Sequence, residues 1–438
     1  MDTHRPLSPF EIAYFGGAAK LTSVPKSQVP LFIGTTVRGA VDIDILRLVL
    51  VELAAGHALL RAVLVEEPCG APRFELRENY EPTLEVTGGG DDAYRRLINS
   101  EPDWGAGFFK AQVLRDGGRT QIVLIVHHGM SDGRSMFALV DEMWQRYSAH
   151  LAGSPLPVFD ADSVLIDGAD AQLLHTVTDA EVDAFLAQLK ALALDPEAAA
   201  AAPRQVVRDG DGSGDPLGRF AVRRIELTAE ETSALIAVAH AQGFSVSSLI
   251  TGAALAAVRP QLGVDAGPVP MLAGHAVDVR PYLVPPVPTT TVLCCVAGVA
   301  TPVVASADSD PIELAKMVEA GMRAALELKF PALYMAATQR DLDAVTAAMF
   351  SAQPTLGISN VGVVPAHSLP ADLEFIRDDM FAMAKGMLPK MTVFTVGDRL
   401  TIQVEYDTAG NSEEQAVQVS QAMRAQVRRL CENAEIRA

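Results

Sequence analysis

Gln121-Ile122-Val123-Leu124-Ile125-Val126-His127-His128-Gly129-Met130-Ser131-Asp132-Gly133 is the stretch that decides the fold. Its opening six residues form the continuous apolar run expected of a strand buried on both faces. Beyond Gly133, residues 134–151 place Met136, Phe137, Val140, Met143, Trp144 and Tyr147 on one side of a helix. A buried strand that turns into an amphipathic helix predicts a mixed α/β unit.

The flanking sequence extends that unit. Ser8-Pro9-Phe10-Glu11 combines an N-cap serine, proline at the first helical position and a capping-box glutamate, so a helix begins at Pro9. Residues 31–38 and 60–66 read as strands and 42–56 as a helix. From 155 to 216 the chain becomes Ala-rich and acidic, ending in Arg208-Asp209-Gly210-Asp211-Gly212-Ser213-Gly214-Asp215-Pro216, the best linker candidate. Three segments follow: an N-terminal domain over 1–170, a crossover over 171–216 and a C-terminal domain over 217–438. In the last, 220–227, 269–279, 292–304 and 392–406 read as strand regions. Helices are expected over 228–242, over a buried small-residue stretch at 246–258, and near 311–328, 340–349 and 412–434.

A chain of 438 residues suits two domains with substantial cores. Its apolar content of 49% with 20% charged residues is that of a folded protein. Cys69, Cys294, Cys295 and Cys431 show no metal-binding spacing and read as reduced thiols. Met1-Asp2-Thr3-His4-Arg5-Pro6 lacks the apolar core of a signal peptide and no apolar run is long enough to cross a bilayer, which predicts a cytoplasmic protein without a membrane span. The net charge of −19 repels nucleic acid. It also disfavours coenzyme A or an acidic carrier protein at long range, so either would need a local basic patch. Arg95, Arg96, Arg115, Arg119, Lys385 and Lys390 are the candidates.

Chemistry concentrates at the histidine pair. Successive strand side chains point to opposite faces, so His127 and His128 cannot easily share one job, and a metal site built from them with Asp132 is disfavoured. One imidazole should face a cavity while the other packs inward. A neutral imidazole can take a proton from a hydroxyl or amine and return it to a leaving thiolate. Gly129 and Gly133 leave room at the turn, and spacing alone leaves the role of Asp132 open. His275 reads as a core histidine, and Met380, Met383, Met387 and Met391 read as core packing.

The segment His127 to Gly133 fits the HHxxxDG signature and resembles the chloramphenicol-acetyltransferase-like superfamily of acyltransferases that use coenzyme A or carrier-protein thioesters. Leu7-Ser8-Pro9, the stretch His57 to Arg61, the stretch Gly274 to Arg280 and Ser359-Asn360-Val361-Gly362 resemble further elements of that superfamily. The resemblance covers essentially the whole chain and is nearest to the polyketide-associated acyltransferases of the phthiocerol dimycocerosyl transferase type, with peptide condensation domains as relatives. The DFGWG element of the plant branch is absent.

The resemblance implies two chloramphenicol-acetyltransferase-like α/β domains around a solvent channel. It implies His128 as general base, His127 and Gly133 as support, and Asp132 paired with Arg280. Ser359 and Asn360 become candidates for the oxyanion. The implied reaction is O-acyl transfer to a lipid, polyketide or sugar hydroxyl, with acyl-CoA or a phosphopantetheine-linked acyl group as substrate and no resident metal or cofactor. An acyl carrier protein or polyketide synthase is the implied partner of a monomeric enzyme. Amide-forming condensation and a non-catalytic carrier-docking scaffold are the alternatives.

Overall fold

The computed structural model describes residues 3–15, 29–66, 72–156, 164–210, 216–264 and 267–435. Cys69 and residues 211–215 of the acidic tract lie outside them. A five-stranded sheet runs in the order β12 (Glu374–Phe381), β2 (Pro30–Arg38), β7 (Arg119–His127), β6 (Phe109–Asp116), β5 (Thr83–Gly88). Central β7 pairs with β2 over its whole length, from Arg38 opposite Arg119 to Pro30 opposite His127. Everything in β7 after Arg119 is buried. Ile122, Leu124 and Val126 enter a large core with Met136, Phe137 and Val140 of the helix Gly133–Ala152. Val123 and Ile125 point the other way, against Tyr94, Leu97, Ile98 and Phe381. Two-sided burial is why this strand is apolar at consecutive positions.

A six-stranded sheet follows the order β10 (Val296–Ala305), β9 (Val269–Asp278), β11 (Leu356–Val364), β13 (Lys390–Val396), β14 (Arg399–Asp407), β8 (Phe220–Glu226). Ile358, Met391, Val393, Ile402 and Val404 on one face pack with Leu249, Ala253 and Met423 of the helices Val246–Val258 and Glu413–Glu435. Small residues in the first helix permit close approach: a Cβ on Gly252 would stand 2.3 Å from Pro311 O in the helix Pro311–Glu327. A third, small sheet joins β1 (His4–Pro6), β4 (Arg73–Leu76) and β3 (Ala62–Val65).

One strand of the C-terminal half crosses to the first sheet. β12, late in the chain, pairs antiparallel with β2 at the edge of the first sheet. Its Asp379, fully buried, accepts from Gln121 Nε2 of β7 at 3.0 Å, from Gln403 Nε2 of β14 at 3.2 Å and from Arg377 Nε at 3.1 Å. Arg224 of β8 closes the cluster through its Nε. Burial alone would raise the Asp379 pKa, but Arg224 and Arg377 outweigh it and hold the pKa low.

Several local expectations shift. The strand expected over 292–304 starts only at Val296, because just before it Leu293 O and Cys295 N bond Arg280 and Asp132. The region 392–406 is a hairpin of β13 and β14 turning at Gly397, where φ is +61°. Within the crossover, the Ala-rich acidic stretch forms the helix Asp179–Leu194 with a Thr178–Glu181 capping box. Its Val182 and Phe185 pack on Ala336, Ala337 and Phe350. The helix Phe330–Ala337 and strands β11 and β12 were not anticipated as elements.

Candidate active site

β7 ends at His127, and the chain turns through residues 128–132 before the helix Gly133–Ala152. Asp132 is the N-cap of that helix: its Oδ1 accepts from Arg134 N at 3.0 Å and Ser135 N at 3.1 Å, satisfying two otherwise orphaned donors. Its Oδ2 accepts from Arg280 Nη1 at 2.7 Å and from Cys295 N at 2.8 Å. One carboxylate therefore caps a helix of the first half and anchors a loop of the second. Arg280 Nη1 also reaches Asp278 Oδ1 at 3.2 Å, and Nη2 donates to Leu293 O at 2.8 Å. Burial disfavours a charged guanidinium here, but the Asp132 carboxylate outweighs it and holds the Arg280 pKa above its usual value.

The two histidines sit in different environments, as strand alternation requires. His127 is fully buried, its ring stacked on Phe15 at 3.9 Å between centroids and 12° between planes, with Trp104 and Phe108 edge-on. Its Nδ1 accepts from Gly129 N at 3.1 Å. Desolvation pushes its pKa down to about 3, so the ring is neutral at physiological pH. His128 is half-buried, while Gly129 to Gly133 are all buried. Its backbone N–H donates to Val29 O, and its Nδ1 lies 2.9 Å from Ser131 O. A carbonyl can only accept, so Nδ1 carries the proton and the Nε2 lone pair is the basic one. Burial lowers the His128 pKa and Lys390 adds to that effect, against hydrogen bonding to the Ser131 carbonyl and the Asp132 charge. The neutral, proton-accepting form is thus favoured.

Both motif glycines are required by packing. A Cβ on Gly129 would fall 2.6 Å from Phe15 Cε2 and 2.7 Å from Tyr14 Cβ; one on Gly133 would fall 2.9 Å from Met380 Cε and from Val361 Cγ2. Met380, Met383 and Met391 are buried, with Met380 against the motif turn. His275 is a core histidine on β9, bonded to Thr301 Oγ1 at 2.7 Å.

Ser359 and Asn360 lie on β11, and neither hydrogen-bonds His128. Asn360 Oδ1 accepts from Gly362 N at 3.0 Å across a bulge where Gly362 takes φ +91°. Ser359 stands opposite Thr392 of β13. Two residues along that strand, Lys390 Nζ donates to Ala382 O at 2.8 Å and lies 3.0 Å from Glu405 Oε2, while Thr392 Oγ1 bonds the other Glu405 oxygen. Arg96, Arg115, Arg119 and Lys385 are exposed, Lys385 paired with Glu101 at 3.1 Å; Lys390 is instead an internal residue. A cleft of about 210 Å³ lined by Gln205, Arg208, Thr355, Pro389, Asp407 and Asn411 lies on the second half, and no residue of the histidine motif lines it. Among the described residues, no cluster of three or more His, Cys, Asp or Glu is placed to hold a metal ion. No single helix among them is long and apolar enough to cross a membrane.

Sequence reasoning missed Tyr14, whose ring centroid is 5.4 Å from that of His128, and Cys294, with which Tyr14 shares a hydrogen bond. The only available signal was the well-formed helix start at Ser8, which says nothing of what the helix touches.

Residues 216–405 match the family described as phthiocerol/phthiodiolone dimycocerosyl transferase C-terminus. The phthiocerol/phthiodiolone dimycocerosyl transferase of Mycobacterium leprae is 27% identical over 300 residues, covering 66% of this chain and 68% of that protein. The chain is an acyltransferase, a relative of these enzymes. Its fold is the chloramphenicol-acetyltransferase-like one. Polyketide synthase associated protein 5 from Mycobacterium tuberculosis superposes with a TM-score of 0.72 at 20% identity, over 99% of both chains. The epimerization domain from the third module of tyrocidine synthetase B gives the same TM-score at 14% identity, over 99% of this chain and 97% of that one. Below 25% identity such likeness bears on fold alone, and chemistry must be argued from the site.

Proposed function

We propose that the protein moves an acyl group from a thioester donor, acyl-CoA or an acyl carrier protein, to a hydroxyl of a lipid, polyketide or sugar acceptor, with His128 as general base. The observation that carries this reading is the bond from His128 Nδ1 to Ser131 O, which fixes the tautomer and leaves Nε2 to accept a proton on a half-buried ring. In the proposed sequence Nε2 takes the acceptor's hydroxyl proton as its oxygen attacks the thioester carbonyl. The tetrahedral oxyanion collapses, the C–S bond breaks, and the departing thiolate takes the proton back from Nε2. No acyl-enzyme forms. Ser359 and Asn360 are the proposed oxyanion donors, and His127, Asp132, Gly133 and Arg280 hold the turn in shape.

The name of the M. leprae relative records transfer of mycocerosyl groups to phthiocerol or phthiodiolone, which favours a lipidic donor and acceptor here. That of the M. tuberculosis structure supports a polyketide synthase or its carrier protein as partner. The enzyme is proposed to act as a cytoplasmic monomer. The test is release of free thiol from acyl-CoA and acyl-carrier donors with and without long-chain alcohols, sugars and amines. Thiol release should require an alcohol and be lost in His128→Ala with the fold retained, since general-base catalysis is worth about 10² to 10⁴ in rate. Turnover with amines only would replace ester by amide formation. Full turnover by His128→Ala would remove the base assignment.

A further inference from the structure

The helix Pro9–Tyr14 has six residues, far too few to be stable alone. It is nevertheless held firmly at its start. Ser8 Oγ accepts from Glu11 N, Glu11 Oε2 accepts from Ser8 N at 2.8 Å, and Arg5 grips both Glu11 oxygens at 2.7 Å in a buried bidentate pair. Phe10 N adds a bond to Asp170 Oδ2 at 3.1 Å. What this helix delivers is the pair Tyr14-Phe15, one ring for each histidine: Phe15 stacks on His127, and Tyr14 lies tilted by 43° against His128. Glycine at 129 is what admits both residues, since a Cβ there would meet the Phe15 ring and Tyr14 Cβ.

Tyr14 also reaches the other half of the molecule. It is 4% exposed, and its hydroxyl shares a hydrogen bond with Cys294. The residues on either side of Cys294 hold the motif too: Leu293 O accepts from Arg280, and Cys295 N donates to Asp132. Three consecutive residues of one loop therefore touch Arg280, Tyr14 and Asp132.

We infer that Tyr14 is a positioning residue for His128: its ring covers one side of the imidazole and holds it in one orientation. The inference rests on the reading of His128 as the base. The ring bonded to Ser131 O has one remaining freedom, rocking about that bond, and a neighbour covering one side removes it. Misplacing a reacting group by about 1 Å can cost about 10²-fold in rate. Tyr14 from the first helix lies against His128, while His127 and Asp132 from its own turn and Lys390 from β13 act on it through charge. Of these, Tyr14 contributes no charge at neutral pH, burial raising its own pKa well above the usual phenol value. It acts on His128 by covering it, keeping water away and so favouring the neutral base.

The experiment compares Tyr14→Ala, Tyr14→Leu and Tyr14→Phe with His128→Ala in the full chain, following thiol release from an acyl thioester with an alcohol acceptor between pH 4.5 and 8, and thermal unfolding in parallel. In Tyr14→Ala, or Tyr14→Leu if the alanine variant does not fold, kcat should fall about tenfold or more with a smaller change in donor KM. The acidic limb of kcat/KM should move up toward about 6.5, the ordinary imidazole value. Tyr14→Phe keeps the ring and should restore the limb and most of kcat. A merely structural tyrosine would change stability and leave the limb where it was. If His128→Ala is inactive while folded Tyr14→Ala or Tyr14→Leu keeps wild-type kcat and limb, the inference is overturned and the base reading stands. It is likewise overturned if Tyr14→Phe behaves as the alanine variant does. If His128→Ala turns over normally, the base reading fails and takes the inference with it.

Discussion

Replacing Arg280 with methionine would remove the charge that balances Asp132 while filling most of the space. The side chains of the pair are 3% and 1% exposed, so water cannot take the place of the guanidinium. Asp132 would retain the backbone N–H groups of Arg134 and Ser135 on Oδ1 and of Cys295 on Oδ2, but no countercharge on Oδ2. Leu293 O would also lose its donor. Breaking a buried ion pair by deleting one partner costs about 3 to 5 kcal/mol, far more than the pair's net worth, because the remaining charge stays desolvated. The double variant Arg280→Met with Asp132→Asn should be more stable than Arg280→Met alone: the asparagine oxygen caps equally well and no unpaired charge remains, which outweighs losing the acceptor of Cys295 N. Urea unfolding of wild type, Arg280→Met, Asp132→Asn and the double variant measures this, with a coupling of about 0.5 to 3 kcal/mol expected between the two sites. Thiol release should fall in every variant although none alters His128. Arg280→Met within about 0.5 kcal/mol of wild type, the range of an ordinary surface substitution, would refute the reasoning.

Two further predictions concern pH and are read by unfolding at fixed pH. Burial works against a charged His367, but Asp141 at 3.6 Å and Asp378 at 2.8 Å outweigh it and raise its pKa to about 9. A pKa raised on folding stabilises fully below the unfolded value of about 6.5 and loses that stability as pH climbs through 9; the gap corresponds to about 3 kcal/mol. His367→Gln should flatten this loss between pH 6.5 and 9, and an unchanged slope would count against the triad. His127 has the opposite sign, its pKa being depressed to about 3. The unfolded chain takes up its proton first, so stability should already be about 2 kcal/mol lower at pH 5 than at pH 7 on its account, and His127→Leu should abolish that part of the acid sensitivity.

Local features were legible in the sequence because their determinants are neighbours along the chain. Ser8 Oγ accepts from Glu11 N and Glu11 accepts from Ser8 N, the capping box that their spacing predicts. The apolar run of β7 and the one-sided helix after it both formed as read. The Asp179–Leu194 helix was overlooked because alanine and acidic residues dominate it, and its narrow stripe of Val182 and Phe185 finds a partner only in residues more than a hundred positions later. The strand start at Val292 was misplaced for a related reason: apolar composition says that residues 292–295 are buried, but not that Leu293 O and Cys295 N bond Arg280 and Asp132.

What the sequence alone determined is the strand-turn-helix segment: a buried strand, two histidines that must diverge and glycines that leave room at the turn. These follow from backbone alternation and steric bulk, both short-range. What only the tertiary structure decided is how the motif is held. Asp132 caps its helix with one oxygen and with the other binds Cys295 N as well as Arg280, 148 residues away, the partner that the family resemblance implies. β12 crosses to the first sheet, and Tyr14 arrives over His128. Such pairings depend on which distant surfaces complete each other's charges, hydrogen bonds and packing, and no spacing along the chain encodes that choice.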